Sequence, residues 1–186
     1  MKNRNDKSRN RRGVIKWSKE EIEFWKHMSK GELSDIDVMI YLALRENGRI
    51  PDTELARMLG VSVPTARRHR IALQEKGYLQ VMGMLIFEEF GLASADVILK
   101  FREDAEKEEI EAFIQEAIEN PKVFEIDEYI GEYDIVIKFF DKDFKELKKT
   151  IENFITGRKI IQKSLILPAV SSPKLFTKPM KYKHAR

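Results

Sequence analysis

The chain has 186 residues, 42% of them hydrophobic and 35% charged, so it can build one ordinary domain or two small ones and is not globally disordered. It has no cysteine, which excludes a disulfide framework, a thiolate nucleophile, iron–sulfur ligation and Cys-type zinc sites. The net charge of +3 hides an asymmetry that favours a polyanion partner for part of the chain: residues 1–80 hold 17 Lys/Arg against 11 Asp/Glu, residues 81–170 hold 12 against 20, and residues 171–186 hold five against none.

Residues 1–12 (MKNRNDKSRNRR) carry six basic residues and almost nothing apolar. They read as a disordered arm that either touches phosphate nonspecifically or solubilises the chain. They lack the apolar core of a secretory signal. No later run approaches the roughly 18–20 apolar residues that span a bilayer, so a soluble cytoplasmic protein is the expectation. Ser18 can cap a short extra helix over 18–29, with Ile22, Trp25 and Met28 at helical spacing. Ser34-Asp35-Ile36-Asp37 has the form of a capping box. The apolar stripe Ile36, Met39, Ile40, Ala43 and Leu44 follows it and stops at Asn47-Gly48. Residues 52–59 predict a short helix with Leu55, Ala56 and Leu59 inside, ended by Gly60. Val61-Ser62 predicts a tight turn, and Ser62 caps a helix that runs to Lys76 and ends at Gly77.

The period then changes. Residues 79–87 predict an extended segment and 95–101 a strand. Residues 105–119 predict a helix with Ile110, Phe113, Ile114, Ala117 and Ile118 on one face, broken by Asn120-Pro121. Two strands follow at 122–130 and 133–140, joined at Ile130-Gly131-Glu132. A helix over 143–155 carries Phe144, Leu147, Ile151, Phe154 and Ile155, and 160–170 predict the last strand. Residues 171–186, with Pro173, Pro179 and five Lys/Arg, read as a basic tail. The order is βαββαβ. Two helices would cover one face of such a sheet. Val97, Leu99, Ile135 and Ile137 are expected on the other, where a second subunit would cover them.

A helix of about two turns, a glycine-centred turn and a longer basic helix form the helix-turn-helix plan. Ser62 and Thr65 can present hydroxyls to phosphate. Arg67, Arg68, His69 and Arg70 follow, and four consecutive residues spread around a helix, so they cannot all face DNA. Thr65, Arg68 and His69 are expected near base edges or adjacent phosphates. Arg67 and Arg70 are expected on the DNA backbone or in ion pairs within the protein. A trihelical bundle with a solvated charged face shares this spacing. The coincidence of turn chemistry, basic helix and charge asymmetry favours DNA.

The echoes Asp35-x-Asp37, Asn47-Gly48-Arg49, Thr53-Glu54-Leu55-Ala56, Ser62-x-x-Thr65-x-Arg67-Arg68, Leu73-x-x-x-Gly77 and Gly131-Glu132-Tyr133-Asp134 run in order along residues 33–170. Through them the chain resembles the leucine-responsive regulator/AsnC (feast/famine) family of prokaryotic transcription regulators. The resemblance implies an α+β protein. An N-terminal three-helix (winged-type) helix-turn-helix domain would occupy 33–78, a linker strand 79–94, and a ferredoxin-like βαββαβ effector and assembly domain 95–170. The arm and extra helix at 1–32 and the tail at 171–186 have no counterpart in the common pattern. The resemblance also implies a sequence-specific regulator on double-stranded DNA, working as a homodimer, tetramer or octamer on a palindromic operator. A small-molecule effector, usually an amino acid, would sit at Gly131, Tyr133 and Asp134. Gly131 would allow close backbone approach, Tyr133 would offer an apolar face and a hydroxyl, and Asp134 would accept an ammonium. The family usually has Arg where His69 stands, an apolar residue at Arg70, Ser at Pro51 and often Thr at Ile130. Which side of the third helix faces DNA therefore stays open at this point.

His27, His69 and His184 lie in separate segments without metal-ligand spacing, and no Ser-His-Asp set or phosphate loop is arguable. Neither a catalytic residue, a metal nor a cofactor is expected. Siroheme decarboxylases resemble this family in fold but use histidines in the second domain, and this chain has none between residues 70 and 183. A ligand-independent architectural DNA-binding protein is the other alternative. Its affinity would ignore sequence and fall steeply with salt.

Overall fold

The computed structural model describes residues 17–175 and 178–179, so the arm at 1–12 and the end of the tail lie outside the described residues. The chain divides into two compact units, one ending at Met84 and the other beginning at Leu85. No helix among the described residues is long and apolar enough to cross a membrane.

Four helices build the first unit: α1 (Lys19–Met28), α2 (Asp35–Glu46), α3 (Asp52–Leu59) and α4 (Val63–Glu75). Serines open three of them. Ser18, Ser34 and Ser62 each accept a backbone N–H from the third residue onward, which satisfies a donor that the helix itself cannot. Asp37 completes the predicted capping box by accepting the Ser34 N–H at 2.9 Å. Pro51 opens α3 without a side-chain cap, and Gly60 closes it at φ +71, a conformation that strains any side chain. Ile40, Ala43, Leu44, Leu55, Ala56, Ala66 and Leu73 form the core. Ala66 and Leu73 are two turns apart, so they define the inner face of α4. The extra helix α1 buries no residue of its own. It is held on α2 by the edge-to-face pair Trp25–Tyr41, with ring centres 4.8 Å apart, and by Arg45–Glu21 and Lys26–Asp35.

The extended segment predicted at 79–87 forms no strand. Tyr78 and Leu79 donate to the Leu73 carbonyl where α4 ends, residues 79–86 have no regular structure, and Phe87–Phe90 make a 3₁₀ turn. Val81, Met82, Met84 and Leu85 are exposed. An apolar run becomes a strand only when a neighbouring strand supplies hydrogen bonds, and the described residues give it none.

The second unit runs β1 (Ala93–Phe101), α5 (Lys107–Glu119), β2 (Val123–Glu128), β3 (Ile135–Asp141), α6 (Phe144–Ile155) and β4 (Ile161–Pro168). This is the predicted βαββαβ order. The sheet is antiparallel, ordered β2-β3-β1-β4, with Val97 opposite both Ile137 and Ile166. β1 alternates buried and half-buried residues along its length. One expectation is reversed. Val97, Leu99, Ile135 and Ile137 are fully buried, and they pack under the helices with Phe113, Ala117, Leu147, Ile151 and Phe154. The period of two grouped them correctly, but the helices cover the more apolar parity because that burial is worth most. The register places Asp96, Ile98, Val136, Lys138, Phe140, Leu165 and Leu167 on the open face. The Phe87 ring stacks on Phe140 at 4.7 Å and meets Phe124 edge-on at 5.2 Å. In the tail, β5 (Lys174–Leu175) pairs antiparallel with β6 (Lys178–Pro179).

Candidate nucleic-acid interface

α4 carries all the predicted DNA-facing residues, and its packing sorts them. Ser62 and Thr65 stand at its start with their hydroxyl oxygens 2.7 Å apart. Arg67 and Arg68 are exposed, and neither meets a carboxylate among the described residues. At two residues from Ala66, Arg68 points nearly opposite the core. His69 and Arg70 follow Ala66 by three and four residues, so they flank the inner face.

Expected near base edges, His69 instead has Nδ1 2.8 Å from Asp37 Oδ1 on α2, and both side chains are largely covered. Burial opposes ionisation of Asp37. Hydrogen bonds from Ser34 and His69 outweigh it and hold the carboxyl below its ordinary range. Arg70 reaches α3, where Nη2 donates to Asp52 Oδ2 at 3.1 Å and Nε lies 2.8 Å from Oδ1, off the hydrogen-bond direction. The ion pair foreseen for Arg70 is therefore present. Asp37 and Asp52, unremarked in the sequence beyond their place at helix starts, tie the flanks of α4 to α2 and α3 on either side of the buried Ala66.

The Gly131–Asp134 turn is built differently. Asp134 Oδ1 accepts Lys100 Nζ at 2.9 Å and Oδ2 accepts the Phe101 N–H at 2.7 Å. Its own N–H donates to the Leu99 carbonyl, and its carbonyl accepts the Tyr129 N–H. The carboxylate expected to receive a ligand ammonium already holds one from its own chain. Gly131 sits at φ +152 beside a fully exposed Ile130. Lys163 Nζ lies 5.0 Å from the Tyr133 ring centre and donates to Glu132 at 3.0 Å, and Glu132 first, then Tyr133, raises the Lys163 pKa. An open cavity of about 430 Å³ is lined by Arg102, Asp104, Ala105, Glu109, Lys159 and Ile160, and by none of residues 131–134. No group of His, Asp and Glu among the described residues could hold a metal ion.

The winged helix-turn-helix DNA-binding family matches residues 33–80, which span α2 to α4. The HTH-type transcriptional regulator PH1055 of Pyrococcus horikoshii is 36% identical over 147 residues, 79% of this chain and 92% of that protein. The chain belongs to the leucine-responsive regulator/AsnC family. Solved structures of similar fold include Escherichia coli AsnC, at TM-score 0.68 and 20% identity, covering 78% of this chain and 97% of that one. Another is the transcriptional regulator NMB0573 of Neisseria meningitidis in complex with L-Met, at TM-score 0.70 and 22% identity, covering 80% and 96%. As a leucine-responsive regulator/AsnC protein, the chain is a DNA-binding transcription regulator. In this family member the helix-turn-helix is α3 and α4, and the βαββαβ unit follows it.

Proposed function

We propose that α4 reads operator DNA through Ser62, Thr65, Arg67 and Arg68, while His69 and Arg70 hold the helix on α2 and α3. One observation carries this reading: of the four consecutive basic residues, two are tied inward to carboxylates and two are left outward. Arg68, opposite the core, is suited to a base edge, where a guanidinium offers two parallel donors. Ser62, Thr65 and Arg67 flank it and suit phosphates, which set register without reading sequence.

The regulator acts in the cytoplasm as a homodimer or a larger even assembly, with 33–78 as the DNA-binding domain and 95–170 as the assembly domain. Leu165 and Leu167 are 40% and 47% exposed on the open sheet face beside Ile98 and Val136, and a second copy would remove them from water. A two-fold dimer places two α4 helices on one duplex about a helical turn apart, or a multiple of it, which calls for a palindromic operator. An amino acid is the class of effector, and the solved structure of NMB0573 is a complex with L-Met. Gly131 and Tyr133 would form its contact, and its ammonium would have to displace Lys100 from Asp134. No catalytic role is assigned.

The test is selection of bound DNA from a random pool at near-physiological salt. An enriched inverted repeat with helical-turn spacing is the expected result. Binding that shows no enrichment and simply falls with salt would overturn the sequence-specific reading in favour of an architectural protein.

A further inference from the structure

We infer that Val63 and Pro64 are specificity-determining residues that read thymine in the operator through its C5 methyl group. The inference rests on the reading that α4 meets base edges with its outward side.

Neither side chain belongs to the core. Ala66 and Leu73 are the buried residues of α4, whereas Val63 is 39% exposed and Pro64 is exposed. Among the described residues of α2, α3 and α4, Val63 is the only large apolar side chain so open to water. A proline in the first turn helps a helix to start, because its missing N–H has no partner to lose there. Valine gains nothing of that kind. Its branched Cβ is restricted in a helix, and a carboxylate in its place would favour the helix dipole. Helices α1, α2, α3, α5 and α6 each carry Asp or Glu in the first turn, and α4 carries neither. A carboxylate at this end would repel the phosphates of a duplex; an uncharged apolar pair does not.

Their place on the helix says what they meet. Val63 stands four residues before Arg67, and Pro64 four before Arg68, so each lies one turn ahead of an outward arginine on the same strip. The strip is apolar where the helix begins and cationic one turn later. A recognition helix brings its N-terminal residues to base edges in the major groove. Those edges present hydrogen-bond donors, acceptors and one apolar group, the thymine methyl. Side chains with neither donor nor acceptor can distinguish only the methyl. One turn of α4 advances about 5.4 Å, against about 3.4 Å for a base pair, so the thymine lies about one or two base pairs from the guanine that Arg68 would read.

The experiment selects DNA bound by the full chain from two random pools at near-physiological salt. One pool contains thymine, and the other has deoxyuridine in its place, which pairs alike and lacks only the methyl. Guanine should be enriched in both pools, and a neighbouring thymine in the first alone. In the operator so obtained, replacing that thymine by deoxyuridine should lower the affinity of the unaltered protein about threefold to fourfold, the worth of burying one methyl group. A Val63→Ala/Pro64→Ala protein should be indifferent to the replacement, because its contact is already gone. Sequences enriched alike in both pools would overturn the inference and leave Arg68 as the reader. A deoxyuridine penalty of equal size in the double variant would also overturn it. The pool comparison uses the unaltered chain, so it decides even if the double variant binds too weakly to measure. Failure of the underlying reading would show separately, as no enrichment from either pool or as an Arg68→Ala protein with unchanged operator affinity.

Discussion

α4 and the Gly131–Asp134 turn each carry charged residues at places that the family pattern marks, and the protein treats the two charges oppositely. Nothing among the described residues answers the guanidinium of Arg68. The Asp134 carboxylate is answered twice, by Lys100 and by the Phe101 N–H. A charge in water is already solvated, so leaving it exposed costs the fold nothing and keeps it available to a phosphate or a base. A charge half-covered between strands must be paired, and once paired it belongs to the fold. The same division runs through α4 itself. Arg67 and Arg68 are outward and unpaired, whereas His69 and Arg70 are one helical step from the core and bound to carboxylates. Residue type does not separate recognition from architecture here; the angle from Ala66 does.

The strongest test of that comparison is Arg68→Ala. A bidentate arginine contributes about 1–3 kcal/mol of base discrimination, so operator affinity should fall about tenfold or more. The fall should be smaller on unrelated DNA, and sedimentation should show the same oligomer. Fluorescence anisotropy against both duplexes checks it. Equal losses on the two would reduce Arg68 to a phosphate contact.

Asp134→Ala comes next in size and should behave in the opposite way. It leaves the half-covered Lys100 ammonium without a partner and the Phe101 N–H without an acceptor, a loss of about 1–3 kcal/mol. Urea unfolding of the second unit should register this in the absence of any amino acid. A variant as stable as the parent would free Asp134 for a ligand and dissolve the contrast with Arg68.

Much of this arrangement was legible in the sequence because it is local. Ser34 and Asp37 are three residues apart, and their capping box forms as written. Gly60 ends α3, and the alternation of Val97 and Leu99 puts them together on one face of β1. What was not legible depends on partners far along the chain. Asp37 and His69 are 32 residues apart, Asp52 and Arg70 18, and Lys100 and Asp134 34, and no local pattern chooses among the many carboxylates available to a lysine or arginine. The covered face of the sheet was misread for a related reason. Period two fixes which residues share a face, whereas the helices choose between the faces by the area they bury. The resemblance marked His69 as a departure, but only its contact with Asp37 says what the departure does.

The smallest expected effect concerns a third charge, Asp141 at the end of β3, which sharpens what pairing does for a fold. Its Oδ2 accepts Lys122 Nζ at 2.6 Å and the Thr150 hydroxyl at 2.7 Å, and its Oδ1 accepts the Lys142 N–H at 2.8 Å. The contact with Lys122, then that with Thr150, pushes the carboxyl down from 3.8 to about 2. Because the folded value lies below the unfolded one, the unfolded chain binds the proton first as pH falls. The stabilisation is therefore complete above about pH 4 and disappears on acidification through pH 2. Screening by water at Lys122 limits it to about 1–2 kcal/mol. Lys122→Met should lower the stability of the second unit by about that amount at pH 7, and urea unfolding should find the variant and the parent converging at pH 2. A difference that persists unchanged at pH 2 would mean that Lys122 acts through the packing of its aliphatic stem, and Asp141 would then join Arg68 among charges that the fold does not need.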